Sequence, residues 1–284
     1  MNSKQNLSHD WFIHVYDEDK RLYVSRAKLN PSGAFSPCNM SPDDVDYEMS
    51  KGKSKKILEI CGMEQKSFEY FVDHYGEQYE FLSFFKCHLI SDFSPLEKLK
   101  HLQGVSIYWN IRSSNLWDMS QNRELEYLWL DSTKQIAYNP IALNTAKSLK
   151  QVVFVGDMDT PYPMHSLEWM KGMESLENVY MRNIKLENRE TNVLESVPKL
   201  QRFDFPAGMF TTEEIAYMCA KYPHILGDAL CAYNTEDAKM NDVRVCGYRK
   251  PGLDLPKGQA RLEKYIKEFD ALVAKYKAEL GNNI

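Results

Sequence analysis

The chain has 284 residues, 43% of them hydrophobic and 12% aromatic, with a formal net charge of −5. That length suits one elongated domain or two compact ones, and an acidic balance with no long basic face argues against nucleic acid as a partner, because that affinity rests on clustered Lys and Arg neutralising phosphates. The start, MNSKQNLSHDW, has no apolar leader core and no apolar run approaches bilayer length, so a cytoplasmic location and no membrane partner are expected.

Residues 1–55 carry no repeat. Trp11, Ile13 and Val15 alternate with polar residues, as do Leu22 and Val24 after the charged turn DEDKR, which predicts a small hairpin. The Pro-, Ser- and Asp-rich stretch 30–46 reads as loop, and KGKSKK (51–56) as a solvated turn rather than a phosphate site. Residues 56–78 form an expected N-terminal helical cap. It has a strand at 57–61 and a helix at 65–75, where Phe68, Phe71, Val72 and Tyr75 fall at i, i+3, i+4 and i+7 before Gly76.

From residue 79 to 210 one spacing of apolar residues recurs six times, LxxLxL, with starts about 23 to 27 residues apart. The triplets are Tyr79/Leu82/Phe84, Leu102/Val105/Ile107, Leu125/Leu128/Leu130, Leu149/Val152/Phe154, Leu176/Val179/Met181 and Leu200/Phe203/Phe205. Six residues before the last five starts stand Leu96, Met119, Leu143, Met170 and Leu194; three residues before them stand Leu99, Asn122, Ala146, Met173 and Val197. Strand side chains alternate with period two, so the second and third apolar residues of a triplet share one face of a short strand. The preceding pair fits one turn of helix or 3₁₀ returning along an opposite wall. One unit cannot bury such a face alone, so units stack into a parallel sheet with a continuous core behind it.

Eight residues after each start lie Cys87, Asn110, Thr133, Asp157, Ile184 and Gly208, of which the first four have side chains able to bond turn backbone. On these motifs, and most closely over SDFSPLEKLKHLQGVSIYWN (91–110), residues 79–210 resemble a bacterial leucine-rich repeat protein of the short-repeat class. The resemblance implies an α/β solenoid, with a parallel sheet on the concave face, short helices or 3₁₀ turns on the convex face, and caps at both ends. It implies little about function, since the scaffold serves many partners.

The segment 211–284 reads as a C-terminal cap. Thr211 and Glu214 make a capping box for a helix carrying Ile215, Met218, Cys219 and Tyr222 before Pro223. A strand is expected within 242–248, and a final helix at 258–280 carries Leu262, Tyr265, Ile266, Phe269, Leu272, Val273, Tyr276 and Leu280 on one stripe. That stripe is expected to pack within the chain, with a homodimer contact as the alternative.

No GxSxG, HExxH, P-loop or GxGxxG pattern occurs, so no catalytic residue, metal or cofactor is assigned. The most enzyme-like cluster is Asp157, Asp159 and His165, the basis of a rival metal-dependent hydrolase reading, but turn and loop roles account for all three. Cys87 beside His88 reads as structural, because adjacent residues usually point apart. The six cysteines, Cys38, Cys61, Cys87, Cys219, Cys231 and Cys246, lack CxxC spacing and read as reduced core or turn residues rather than a redox pair. The strand positions facing away from the core carry the functional expectation. Phe85, Tyr108, Tyr127, Trp129 and Val153 are expected as an exposed apolar patch, flanked by Tyr180, Arg182, Arg202 and Asp204. Aromatic patches with polar rims are what protein interfaces use. The expected function is therefore non-enzymatic binding of a protein partner, an inhibitor or immunity protein being one form, unless a terminal segment covers that face. The acidic net charge favours a basic partner.

Overall fold

Alternating apolar residues on consecutive segments of equal length produce, in the computed structural model, a stack of parallel strands. Described are residues 21–25, 27–29, 35–37, 40–51, 55–157, 159–235 and 240–281, with side chains from residue 40 onward. The strand expected at Trp11, Ile13 and Val15 lies outside the described residues, as do Cys38 and the middle of KGKSKK.

In chain order the elements are β1 Arg21–Ser25, β2 Ala27–Leu29, β3 Phe35–Pro37, α1 Pro42–Ser50, β4 Ile57–Cys61, α2 Gln65–His74, β5 Phe81–Phe85 and β6 Gly104–Tyr108. Next come β7 Tyr127–Asp131, α3 Lys134–Tyr138, β8 Gln151–Val155, β9 Tyr162–Met164, β10 Asn178–Arg182, β11 Ile184–Leu186 and β12 Arg202–Asp204. The chain ends with α4 Thr212–Lys221, β13 Tyr233–Asn234, β14 Val243–Val245, β15 Gly252–Leu253 and α5 Gln259–Gly281.

β4, β5, β6, β7, β8, β10 and β12 make one parallel sheet in chain order, and β1 extends it, also parallel, at the β4 edge. The register keeps every repeat in phase: Phe81, Gly104, Tyr127, Gln151, Asn178 and Arg202 are successive partners across the sheet. At each strand entry one carbonyl accepts two N–H groups of the next unit. Glu80 O takes Gln103 N and Gly104 N, and Gln103 O takes Glu126 N and Tyr127 N. This accounts for backbone groups that would otherwise be left unpaired where strands begin.

Every member of the six triplets is buried, none more than 5% exposed, and so are both residues of each preceding pair. The return wall is 3₁₀ at Ser94–Lys98, Ile141–Thr145, Glu168–Met170 and Asn192–Ser196, one of the two forms that the three-residue spacing allows. Around Met119 the wall is irregular and a side chain takes over the bonding. Asn122 donates to Leu96 O and Leu99 O, both at 2.8 Å, and accepts from Trp117 Nε1 at 2.8 Å. The matching side chain behind the strands is Asn110, which donates to Cys87 O and Ile90 O and accepts from Arg112 N and Ser113 N.

At the N-terminal end, α2 buries Phe68, Phe71 and Val72, with Phe68 edge-on to Phe84 at 5.5 Å, as its periodicity predicts. Two expectations there are corrected. The stretch 30–46 is not all loop, because β3 pairs with β2 and α1 begins at Pro42. The start of α1 is a complete capping box, Ser41 Oγ accepting from Asp44 N and Asp44 accepting from Ser41 N, with Pro42 in the first turn. Leu22 and Val24 belong to β1, whose described partner is the parallel β4.

At the other end, Thr211 and Glu214 cap α4 reciprocally. α5 packs along α4 with Leu262 and Phe269 buried and Ile266, Leu272, Val273 and Tyr276 partly so, and Tyr217 meets Tyr276 edge-on at 5.5 Å. The apolar stripe is thus used within the chain. Among the described residues no helix is long and apolar enough to cross a membrane.

Candidate functional site

The side chains between the core positions form a cluster of their own on the sheet's second face. Ile57, Phe81, Trp129 and Val153 make up this cluster, with Tyr127, Val155 and Tyr180 packed against it. The alternation therefore places the expected patch on the expected face. It does not leave that patch exposed. Trp129 is only 3% exposed and Val153 1%, and polar neighbours on the same face, Ser83, Ser106 and Gln151, are buried too. The expectation that Trp129 and Val153 present themselves to a partner is corrected: both are packing residues. Alternation fixes which way a side chain points and says nothing of whether that face meets water.

The flank also changes character. Asp204 is buried and receives the Arg202 guanidinium and the Asp228 backbone N–H, while Arg202 reaches Asp228 Oδ1 at 2.8 Å. Burial pushes the Asp204 carboxyl above its ordinary value against the pull of these donors. Arg202 and Asp204 therefore satisfy each other near the last strand. Arg182 is exposed and Tyr180 half-buried at the edge of the second cluster.

Of the expected apolar patch Phe85, Tyr108 and Tyr127 stay half-buried, and the first two lie together at the exits of β5 and β6. Phe85 and Tyr108 are cross-strand partners, and their rings stack with centroids 5.0 Å apart at 28°. Trp109 stands edge-on to Tyr108 at 6.0 Å and is 43% exposed; Ile111, just beyond, is 59% exposed. The Lys86 ammonium sits 5.2 Å from the Phe85 centroid and 4.6 Å from that of Trp109. Burial, with the Lys86 and Arg112 charges nearby, holds the His88 imidazole below its ordinary value. Three rings, an aliphatic side chain, two cations and a neutral imidazole thus lie on two adjacent turns.

Sequence reasoning stopped at the strand ends, missed Lys86, Trp109, Ile111 and Arg112, and read His88 beside Cys87 as structural. What marks these turns is backbone sign, which the residue pattern does not carry. The residue seven after a repeat start has left-handed backbone at Lys86 (φ 51°), Trp109 (φ 61°), Ser132 (φ 53°) and Asn183 (φ 53°), and Gly62 (φ 83°) takes the same place after β4. Gly and Asn are the inexpensive residues there. Lys and Trp are not, so these two turns keep bulky side chains at a conformational cost of about 1 kcal/mol each.

The rival cluster does not assemble. Asp157, Asp159 and His165 are exposed; Asp157 Oδ1 accepts from Asp159 N at 3.0 Å, an ordinary turn bond, while His165 faces Glu187 at 3.5 Å and Tyr138 at 6.1 Å. Among the described residues no three His, Cys, Asp or Glu side chains group as metal ligands. Cys87 is buried, with its thiol 3.6 Å from Ile60 O and pushed up to about 12 by desolvation, which removes it as a nucleophile. No protein-family model matches the chain, and no curated protein matches it significantly.

Proposed function

We propose that the chain is a leucine-rich repeat solenoid of the short-repeat class, working in the cytoplasm as a non-enzymatic docking module for a protein partner. The in-phase parallel register, the buried triplets and the 3₁₀ return wall support the solenoid reading. The docking surface is the strand-exit patch of Phe85, Lys86, Tyr108, Trp109 and Ile111, and the observation that carries it is Trp109, a large ring kept 43% exposed on strained backbone. Trp and Tyr dominate interface hot spots, and stacked strands hold them preorganised, so binding costs little ordering.

The patch also specifies the partner's chemistry. Although the chain as a whole is acidic, the Lys86 and Arg112 charges make this locality basic, and they help keep the nearby His88 imidazole neutral. A partner offering an apolar anchor between carboxylates fits it, rather than the basic partner that net charge alone suggests.

Capture of partner by tagged full-length protein and its Trp109→Asn variant tests this. Asn suits the left-handed turn, so the variant should fold as the parent does while retained partner falls about tenfold or more. Equal capture by both would place the interface elsewhere.

A further inference from the structure

The three-stranded sheet of the C-terminal cap brings together two cysteines that lie 15 residues apart in sequence. β13 and β14 are antiparallel with Tyr233 opposite Val245, and Cys246 N donates to Ala232 O at 2.9 Å just beyond. That pairing sets Cys231 Sγ 3.9 Å from Cys246 Sγ, with both residues in the thiol state. A disulfide needs about 2.05 Å between sulfurs, so the two sulfurs must still move closer together. The two thiols differ in setting. Cys231 is half-buried, and its sulfur lies near Asp228 O and Tyr233 O; Cys246 is buried in the core.

From this geometry we infer that Cys231 and Cys246 form a reversible thiol–disulfide site, oxidised by a hydroperoxide, with Cys231 as the attacking thiol and Cys246 as the resolving one.

The Cys231 thiolate attacks the peroxide's outer oxygen, the O–O bond breaks, and the alkoxide or hydroxide that leaves takes a proton. Cys231 is then a sulfenic acid. Cys246 gives up its proton as its sulfur attacks Cys231 Sγ; the S–O bond breaks and the hydroxyl departs with that proton as water. The two thiols lose two electrons and the peroxide gains them. Support also comes from the thiol acidities. The hydrogen bond with Cys246 draws Cys231 below its ordinary value, whereas burial pushes Cys219 up to about 11 and Cys87 to about 12. The bond would matter to the fold because residues 246 and 247 tie the cap to its neighbours: Gly247 N donates to Ala207 O at 2.8 Å and Thr212 Oγ1 donates to Cys246 O at 3.3 Å.

The test treats the purified full-length chain with hydrogen peroxide, blocks remaining thiols with iodoacetamide, and maps the unreduced digest by mass spectrometry. The expected result is a Cys231–Cys246 cross-linked peptide that disappears after dithiothreitol. Cys231→Ser should lower the rate of peroxide consumption about tenfold, and Cys246→Ala, which also removes the hydrogen bond that lowers Cys231, should oxidise more slowly and stop at a Cys231 sulfenic acid that dimedone traps. Because the main arm uses the unmutated protein, poor folding of a variant does not obscure it. Full alkylation of both residues after oxidation, or a Cys219–Cys231 peptide in place of the expected one, would overturn the assignment.

Discussion

Lys86 and Trp109 occupy the same position in consecutive turns, both with left-handed backbone (φ 51° and 61°), and the Lys86 ammonium lies 4.6 Å from the Trp109 ring centroid. Stacking the repeats in register makes these neighbours: Lys86 N donates to Tyr108 O, and Trp109 N to Asp131 O, one residue past the last strand pair on each side. Each turn is therefore an extension of the ladder, and its side chain is held where the next turn's side chain can meet it.

Replacing Trp109 by Asn separates binding from folding. The ring gives up a cation–π contact worth about 0.5–1 kcal/mol at an exposed site, while the backbone gains a residue suited to positive φ. The two effects nearly cancel, so urea unfolding should change by less than about 1 kcal/mol. A clearly larger loss of stability would make Trp109 a structural residue.

Asn110 answers four backbone groups at once, two carbonyls and two N–H groups. Asn110→Ala leaves several of these buried without a partner and should cost about 2–4 kcal/mol, read as a lower urea midpoint with little change in slope. Asn110→Asp should also destabilise, since a carboxylate oxygen would face Cys87 O and Ile90 O.

At the β8 exit the chain passes so close to Asn183 that a Cβ on Gly156 would stand 2.1 Å from the Asn183 carbonyl oxygen. Gly156→Ala must displace backbone and should cost about 2 kcal/mol or more. Gly208→Ala is the control: its nearest neighbour is the Arg244 side chain at 3.9 Å, and denaturation should barely move.

Much of this architecture is legible in the sequence because core positions report their own spacing. The LxxLxL triplets and the Leu96 and Leu99 type pairs name buried residues directly, and their phase yields the strand register. The parts that escaped have other causes. Ser41, Pro42 and Asp44 look like loop composition unless read as a cap. β1 pairs with a segment more than thirty residues away, which a periodicity argument does not see. Trp129 has the alternation of an outward residue, but burial on that face depends on what surrounds it in three dimensions. Lys86 and Trp109 lie at turn positions, where the informative signal is backbone sign rather than hydropathy.

The Arg202 and Asp204 pair carries a pH signature. Burial raises the Asp204 carboxyl above the ordinary 3.8, so the folded chain holds its proton more tightly than the unfolded one. The stabilisation from that proton is complete below about pH 3.8 and is lost as pH rises through the folded value. Arg202→Met removes the counter-charge from a buried carboxylate. It should cost about 1–3 kcal/mol at pH 7, reduced from the fully buried case because Arg202 is partly exposed, and less at pH 4, where Asp204 can take up its proton. Thermal melts at the two pH values measure this; a penalty that grows on acidification would contradict it.

Photo-crosslinking in cells of the source species tests the docking surface most directly. A benzophenone amino acid replaces either Ile111, beside Trp109 and 59% exposed, or Ile141 on the 3₁₀ wall, 48% exposed. The account predicts a discrete protein adduct from position 111 that is lost in the Trp109→Asn background, and none from position 141. An adduct from position 141 alone, or one from position 111 that survives Trp109→Asn undiminished, would contradict it.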